Sequence, residues 1–511
     1  MDLAQLVGAV ELVRATAKKT EKVHRLAELL RHTHGYETQL AALYLCGSLP
    51  QGKIGVGWTV LQKAMAGGPA IGERLSLSDV DGELTGVAAE RGSGSNERRT
   101  ARLGRLFVRA SPDERQFLAR LVVGEIRQGA LEGLLLDAVA KASGRPTRAV
   151  RQAFMFSGNI GEVARAALEE GPEGLTRFSL RLFQPVSPML AGSTDDVEDA
   201  LARLDGAALE YKLDGARIQV HKGGEELRIF TRQLQDVTER MPDLIEWART
   251  LPVREAVLDG EALALRPDRR PHPFQVTMRR LGRSKNVQAL TADIPLTPFM
   301  FDALYLDGTV LVDRPYHERS AHLIEAVSAA AVPRLLTNQT EDARRFFRQA
   351  LAAGHEGIMA KSLSAPYVAG QRGAQWLKLK EAATLDLVVL AAEWGSGRRT
   401  GWLSNLHFGA RDSETGRLVM LGKTFKGLTD DMLRRQTEAL LALETHRDEY
   451  VVHVRPELIV EIAFSDVQES PRYPGGLALR FARVKRYRTD KTLEQADTIQ
   501  TVRDIFRRQR G

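Results

Sequence analysis

Cysteine is nearly absent. The 511 residues hold one, Cys46 in LYLCGSL, which excludes an internal disulfide and any cysteine-rich zinc site and fits a reducing cytoplasm. No apolar run approaches the roughly 18 residues that a membrane-crossing helix needs, so no membrane partner is expected. The opening MDLAQLVGAVELVRATAKKTEK lacks a basic segment ahead of an apolar one, and no signal peptide is predicted. Internal repeats and long low-complexity tracts are missing too.

Excess charge is missing from most of the chain. Lys and Arg number 72 against 65 Asp and Glu, a net of +7. Residues 471–511 alone carry 11 basic and 4 acidic residues, so the whole excess sits there. That segment alternates in LALRFARVKRYR, which predicts a strand and a structured basic surface facing a polyanion.

What is present is an ordinary globular composition, 43% hydrophobic and 27% charged. The chain is too long for one core, and at roughly 100–200 residues per domain about three domains are expected. Residues 1 to about 178 place apolar side chains three and four apart and read as helical. Ser111 before Pro112, Asp113 and Glu114 is a predicted N-terminal cap. Between helices, AAERGSGSNERRTARLG reads either as a linker or as a loop in which Arg98, Arg99 and Arg102 hold phosphates. From about 179 to 382, short alternating segments such as RIQVH, LRIFTR, GIMAKSL and WLKLK mix with helical stretches, predicting an α+β domain built mainly of antiparallel sheet. Residues 383–511 read as five strands with a helix after the third, the order of a Greek-key barrel of the OB type.

The chemistry concentrates in EYKLDGARIQVHKGGEELRIFTRQ, residues 210–233. Period-two spacing puts Glu210, Lys212 and Asp214 on one face of a predicted strand. A lysine is a nucleophile only as the free amine, which a desolvated or electropositive site favours. Arg217, read on the same strand, and Arg232, expected on the returning strand, could supply that potential and grip phosphate with forked donors. Further on, VLDGEAL carries Asp259 and Glu261, and FMFDALYLDG offers Phe301 as a stacking ring. GHEGIMAK presents Glu356 and Lys361, WLKLK puts Lys378 and Lys380 on one strand face, and RYRTDK carries Arg488, Asp490 and Lys491. Together these supply a nucleophile, carboxylates for a divalent metal, an aromatic shelf and phosphate clamps, the needs of nucleotidyl transfer.

This ordered set resembles the covalent nucleotidyltransferases, and most closely the ATP-dependent DNA ligases of the three-domain bacterial and archaeal type. EYKLDGAR looks like their nucleotide-attachment motif; LDGE, FDALYLDG, EGIMAK and WLKLK look like the next four, and LALRFARVKRYRTDK like the last. QPVSPMLAGS is similar to the entry of their adenylation domain, and GEIRQGALEGLLLDAVAKA to their DNA-binding domain. The resemblance implies a helical DNA-binding domain at 1–178, an adenylation domain at 179–382 and an OB-fold domain at 383–511. It implies that Lys212 takes AMP from ATP, that AMP passes to the 5′-phosphate of nicked duplex DNA, and that the 3′-hydroxyl then seals the strand.

The resemblance also assigns roles. Glu210 and Phe301 would hold adenine; Arg217 and Glu261 would reach the ribose, and Arg232 the phosphates of the nick. Lys378 and Lys380 would neutralise the AMP phosphate, and Arg372 in YVAGQRGAQW matches a further nucleotide contact. Glu356, with Glu261 as a second candidate, would bind Mg²⁺. Arg488, Asp490 and Lys491 would orient the leaving pyrophosphate once the OB domain closes, so a hinge is expected near 381–384. A cytoplasmic, nucleoid-associated monomer that wraps DNA is expected. A GTP-dependent mRNA-capping guanylyltransferase or an RNA ligase shares the lysine chemistry, but neither accounts for the helical N-terminal third. An NAD⁺-dependent DNA ligase needs a four-cysteine zinc module, which one cysteine cannot build.

Overall fold

Apolar side chains three and four apart build the first third of the chain. In this computed structural model the described residues are 1–66, 68, 71–124, 132–194, 196–204, 206–282, 287–369, 372–381, 383–396 and 399–510. Among them, eleven helices run from Leu3–Ala15 to Gly171–Thr176 and share one core reaching from Leu3 to Leu175. The Ser111 cap forms as a reciprocal box with Glu114. AAERGSGSNERRTARLG, read as either a linker or a phosphate-holding loop, is helical instead from Ser95 on. Helix Ser95–Arg109 begins inside it, and Arg98 and Arg102 lie four apart on one face. Both pair with Glu90 (2.6 and 3.0 Å), while Arg99 donates to the Glu90 carbonyl at 2.5 Å. The three arginines thus close the end of helix Leu77–Ala89, whose last carbonyls need donors.

Ten strands follow: β1 (Leu190–Ser193), β2 (Ala207–Lys212), β3 (Ala216–Gly223), β4 (Glu226–Thr231), β5 (Glu255–Ala264), β6 (Leu296–Leu306), β7 (Thr309–Val310), β8 (Arg334–Thr337), β9 (Gly357–Ser362) and β10 (Arg372–Lys380). They form two five-stranded sheets, ordered β1-β10-β9-β2-β8 and β4-β3-β5-β6-β7. Every pairing is antiparallel except β1 with β10.

The period of two decides which face is which. In the first sheet Leu209, Ile358, Ala360, Leu377 and Leu379 pack on Ala343, Phe346 and Ala350 of helix Thr340–Ala352. Their neighbours Glu210, Lys212, Lys361, Trp376, Lys378 and Lys380 therefore face the other way. In the second sheet Ile218, Val220, Leu258 and Ala262 enter a core with helix Pro242–Arg249, which turns Arg217, Asp259 and Glu261 outward from it. The two polar faces meet.

Such a polar interior is tolerated only where charges are paired. Arg319 and Asp302, both fully buried, form a bidentate pair at 2.8 and 2.9 Å. Arg319→Ala would strand that carboxylate and is expected to destabilise the chain by about 3–5 kcal/mol. Urea unfolding followed by tryptophan fluorescence would measure this, and a loss under about 1 kcal/mol would contradict it.

The C-terminal part is a β domain: β11 (Ala383–Trp394), β12 (Leu403–Arg411), β13 (Leu418–Thr424), helix Asp430–Ala442, β14 (Glu444–Arg447), β15 (Val451–Val454), β16 (Ile459–Phe464), β17 (Asp466–Glu469), β18 (Leu477–Arg480), β19 (Arg483–Tyr487) and helix Ile499–Arg510. Five strands expected from sequence are nine among the described residues. LALRFARVKRYR is not one strand but two, broken at Phe481, whose φ is +56°. Its basic residues are largely paired: Arg480 with Asp214, Arg486 with Glu461, and Arg488 with Asp386. Among the described residues no helix is long and apolar enough to cross a membrane.

Candidate active site

The segment 210–217 leaves one sheet and enters the other. β2 ends at Lys212 and β3 starts at Ala216, so Lys212 and Arg217 stand on different sheets, not on one strand as expected. The polar positions are even through Asp214 and odd from Arg217, a change of phase that marks the crossing in the sequence. Gly215 makes the turn possible, because a Cβ there would lie 2.4 Å from the Ala262 carbonyl oxygen. Gly357, facing Lys212 in the β2–β9 register, has φ +144° and would place a Cβ 2.2 Å from the Leu379 carbonyl.

Lys212 stands at the sheet end with its amine on Glu356 and 3.4 Å from the Leu213 carbonyl. Lys380 reaches the same Glu356 oxygen at 2.6 Å. Burial pushes the Glu356 carboxyl up, but the two ammoniums outweigh it and hold it below its ordinary value. Burial and the nearby Lys212 charge lower Lys380. From the second sheet, Glu261 accepts the Gly215 amide at 3.2 Å. Burial raises its carboxyl to about 7, with Lys212 and Arg217 pulling the other way.

Arg217 is held by four contacts: Asp259 at 3.1 and 2.6 Å, the Met189 carbonyl at 2.7 Å and the Tyr367 hydroxyl at 3.3 Å. Its guanidinium carbon lies 5.4 Å from the Phe301 ring centre. Phe301 meets Trp376 edge-on at 6.0 Å and has the Lys361 amine 4.7 Å from its centre. Glu210 lies deeper: its buried carboxylate takes Lys361 at 2.6 Å and the Tyr316 hydroxyl. Burial outweighs these partners and raises Glu210.

Other expected residues stand at the margin of this group or outside it. Asp214 lies past the end of β2 and takes Arg480 of β18 at 2.5 Å. Arg480 also lies 3.7 Å from Asp466 and stacks 3.9 Å above Phe274. Arg232 falls just after β4, exposed and free of ion pairs among the described residues. Lys378 is half-buried on β10, and the Arg372 side chain lies outside the described residues. Arg488, Asp490 and Lys491 direct their side chains to Asp386 and to one another, so the structure does not bring them to Lys212. Tyr316, Tyr367 and Trp376 were missed by the sequence reading. Trp376 alone left a signal, being two residues before Lys378 on the same face of β10.

Lysine, carboxylates, clustered cations and an aromatic wall form the chemical inventory of a nucleotidyl-transfer site. Residues 188–380 match the family described as ATP dependent DNA ligase domain, 399–491 the ATP dependent DNA ligase C terminal region, and 69–140 the DNA ligase N terminus. A probable DNA ligase of Anaeromyxobacter sp. (strain Fw109-5) is 56% identical over 512 residues, covering 100% of this chain and 99% of that protein. Another from Sorangium cellulosum (strain So ce56) is 52% identical and covers 99% and 95%. The solved structure titled Pmar-Lig_PreS3 aligns with a TM-score of 0.62 at 16% identity over 94% of this chain and 99% of that one; it bears on the fold alone. The chain belongs to the ATP-dependent DNA ligase family.

Proposed function

We propose that the chain seals nicks in duplex DNA in three transfers, the first two of which pass through Lys212. The observation that carries this reading is Lys212 at a sheet junction, its amine on Glu356 beside Lys380 and opposite Glu261. The lysine nitrogen attacks the α-phosphorus of ATP; a P–N bond forms, the P–O bond to pyrophosphate breaks, and the nitrogen sheds a proton. A 5′-phosphate oxygen at the nick then takes the AMP, and the P–N bond breaks. Finally the 3′-hydroxyl attacks that 5′-phosphate, loses its proton and expels AMP.

Phe301 stacks on the adenine in this reading. Glu210 shapes the adenine floor through Lys361 and Tyr316, which already occupy its carboxylate. Arg217 and Glu261 reach the ribose, Lys378 and Lys380 the AMP phosphate, with Arg372 a further nucleotide contact and Arg232 at the nick phosphates. Mg²⁺ fits Glu356 and Glu261, since it binds one or two carboxylates plus substrate phosphates; once Lys212 carries AMP, its charge no longer competes for Glu356. The bound ion would neutralise phosphate charge. Arg488, Asp490 and Lys491 act on the pyrophosphate after the C-terminal domain, an OB-type barrel in this reading, turns about 381–384. The domain limits are those at 178 and 382, the helical domain grips duplex DNA, and the protein works as a cytoplasmic monomer on the nucleoid.

Nick sealing tests this: a nicked duplex should be joined with Mg²⁺ and ATP, and joining with GTP alone would overturn the reading. DNA affinity should fall steeply with salt, because most contacts are to phosphate; a flat response would contradict that. Below about pH 7 Glu261 is protonated and neutral, and above it ionised. Adenylate formation should therefore rise through that pH, and Glu261→Gln should flatten the step. An unchanged profile would mean that ionisation of Glu261 does not control this step.

A further inference from the structure

Asp386 has no part in the roles above, yet two cations of RYRTDK converge on it. It lies near the start of β11, the first strand of the C-terminal domain. Its Oδ2 accepts Arg488 Nη1 at 2.7 Å and Lys491 Nζ at 2.5 Å. Two donors on one oxygen cannot stand farther apart than the sum of those lengths. Without the anion between them, the like charges would repel. Asp490 also pairs with Arg488, but it is 63% exposed and only two residues away, whereas Asp386 is 10% exposed and comes from another strand. The Asp386 amide is itself anchored, donating to Asp497 at 2.8 Å, and among the described residues its buried Oδ1 has no hydrogen-bond partner.

We propose that Asp386 is a positioning residue, fixing the spacing of Arg488 and Lys491 so that two adjacent cations meet the pyrophosphate oxygens as one preformed fork. Lys491 keeps two further N–H donors for that purpose. Because Asp386 rides on the same domain as the cations, the fork travels intact when the domain turns. The inference rests on the leaving-group role given to these cations.

The test separates the steps. Single-turnover formation of covalent adenylate from α-labelled ATP and Mg²⁺ is compared with sealing of a nick that already carries a 5′-adenylate. Asp386→Asn should slow the first on the order of 10- to 100-fold and leave the second within about twofold. Asp386→Glu, which keeps the charge, should recover part of the loss. Combined with Lys491→Ala, the two losses should be less than multiplicative, since one residue acts through the other. Equal slowing of both steps, or full multiplicativity, would overturn the proposal as mere destabilisation. Should Lys491→Ala itself leave adenylate formation at the wild-type rate, the leaving-group reading fails. Should it behave as expected while Asp386→Asn is not slowed, this inference alone fails.

Discussion

Lys212→Ala is expected to lower ATP-dependent nick sealing by at least about 10⁴-fold, because in this account Lys212 is the amine that forms the covalent adenylate. Alanine removes the one amine that stands at the β2 end, between the two polar faces. The fold should survive the change. Glu356 keeps Lys380 as a partner, and the apolar back of β2, Leu209 with Ala207, packs as before. A nick supplied with its 5′-adenylate already in place bypasses the first two transfers. Its sealing should suffer far less than sealing that starts from ATP. Equal loss with both substrates would mean that the substitution had damaged the pocket as a whole, and retained sealing from ATP would remove Lys212 from the chemistry.

The second large effect is expected at Glu356. Its carboxylate is the shared counter-charge of Lys212 and Lys380. Like charges about 4 Å apart repel by about 4 kcal/mol at the effective dielectric of a pair near a protein surface. Glu356→Ala would therefore push both amines off their present positions as well as removing the main candidate ligand for Mg²⁺. Adenylate formation should fall on the order of 10²- to 10³-fold. Glu356→Gln, which preserves the shape but not the charge, should lose nearly as much. If the glutamine variant keeps near-normal rates in single-turnover labelling, hydrogen bonding and not charge is what the site requires, and the metal role falls with it.

How much of this was legible in the sequence depends on how far apart the partners lie along the chain. The residues of LDGE and WLKLK sit together on short strands, so their faces could be assigned by alternation, whereas KLDG straddles the end of β2. Lys212, Glu356 and Lys380, which lie on three such strands or at their ends, meet in the structure. The passage from β2 into β3 escaped the sequence reading: β2 ends at Lys212 and β3 starts at Ala216. Two marks of the break are there, the change of the polar positions from even at 210, 212 and 214 to odd at 217 and 219, and the lack of room for a Cβ at Gly215.

The ends of the C-terminal domain escaped for a different reason. Arg480 finds Asp214 across 266 residues, and Arg488 finds Asp386 across 102. No local pattern encodes either pairing. The left-handed backbone at Phe481 splits the basic run and sends Arg480 toward the nucleotide pocket, while the residues after it fold back onto β16 and β11. Arg232 was expected on the returning strand: a hairpin fixes the register of Thr231 against Ile218, but Arg232 follows the last paired residue, where the sheet no longer aims the side chain. Conversely Arg98, Arg99 and Arg102 looked available for phosphate because their partner, Glu90, reads as part of a loop until the helix ends are known.

The central claim is that a single lysine carries the nucleotide. The most direct measurement incubates the protein with Mg²⁺ and α-labelled ATP or GTP, denatures it, and maps the covalently labelled peptide. Label from ATP confined to the peptide containing Lys212, and absent from Lys212→Ala, is the expected result; label from GTP alone, or on another peptide, would contradict the account.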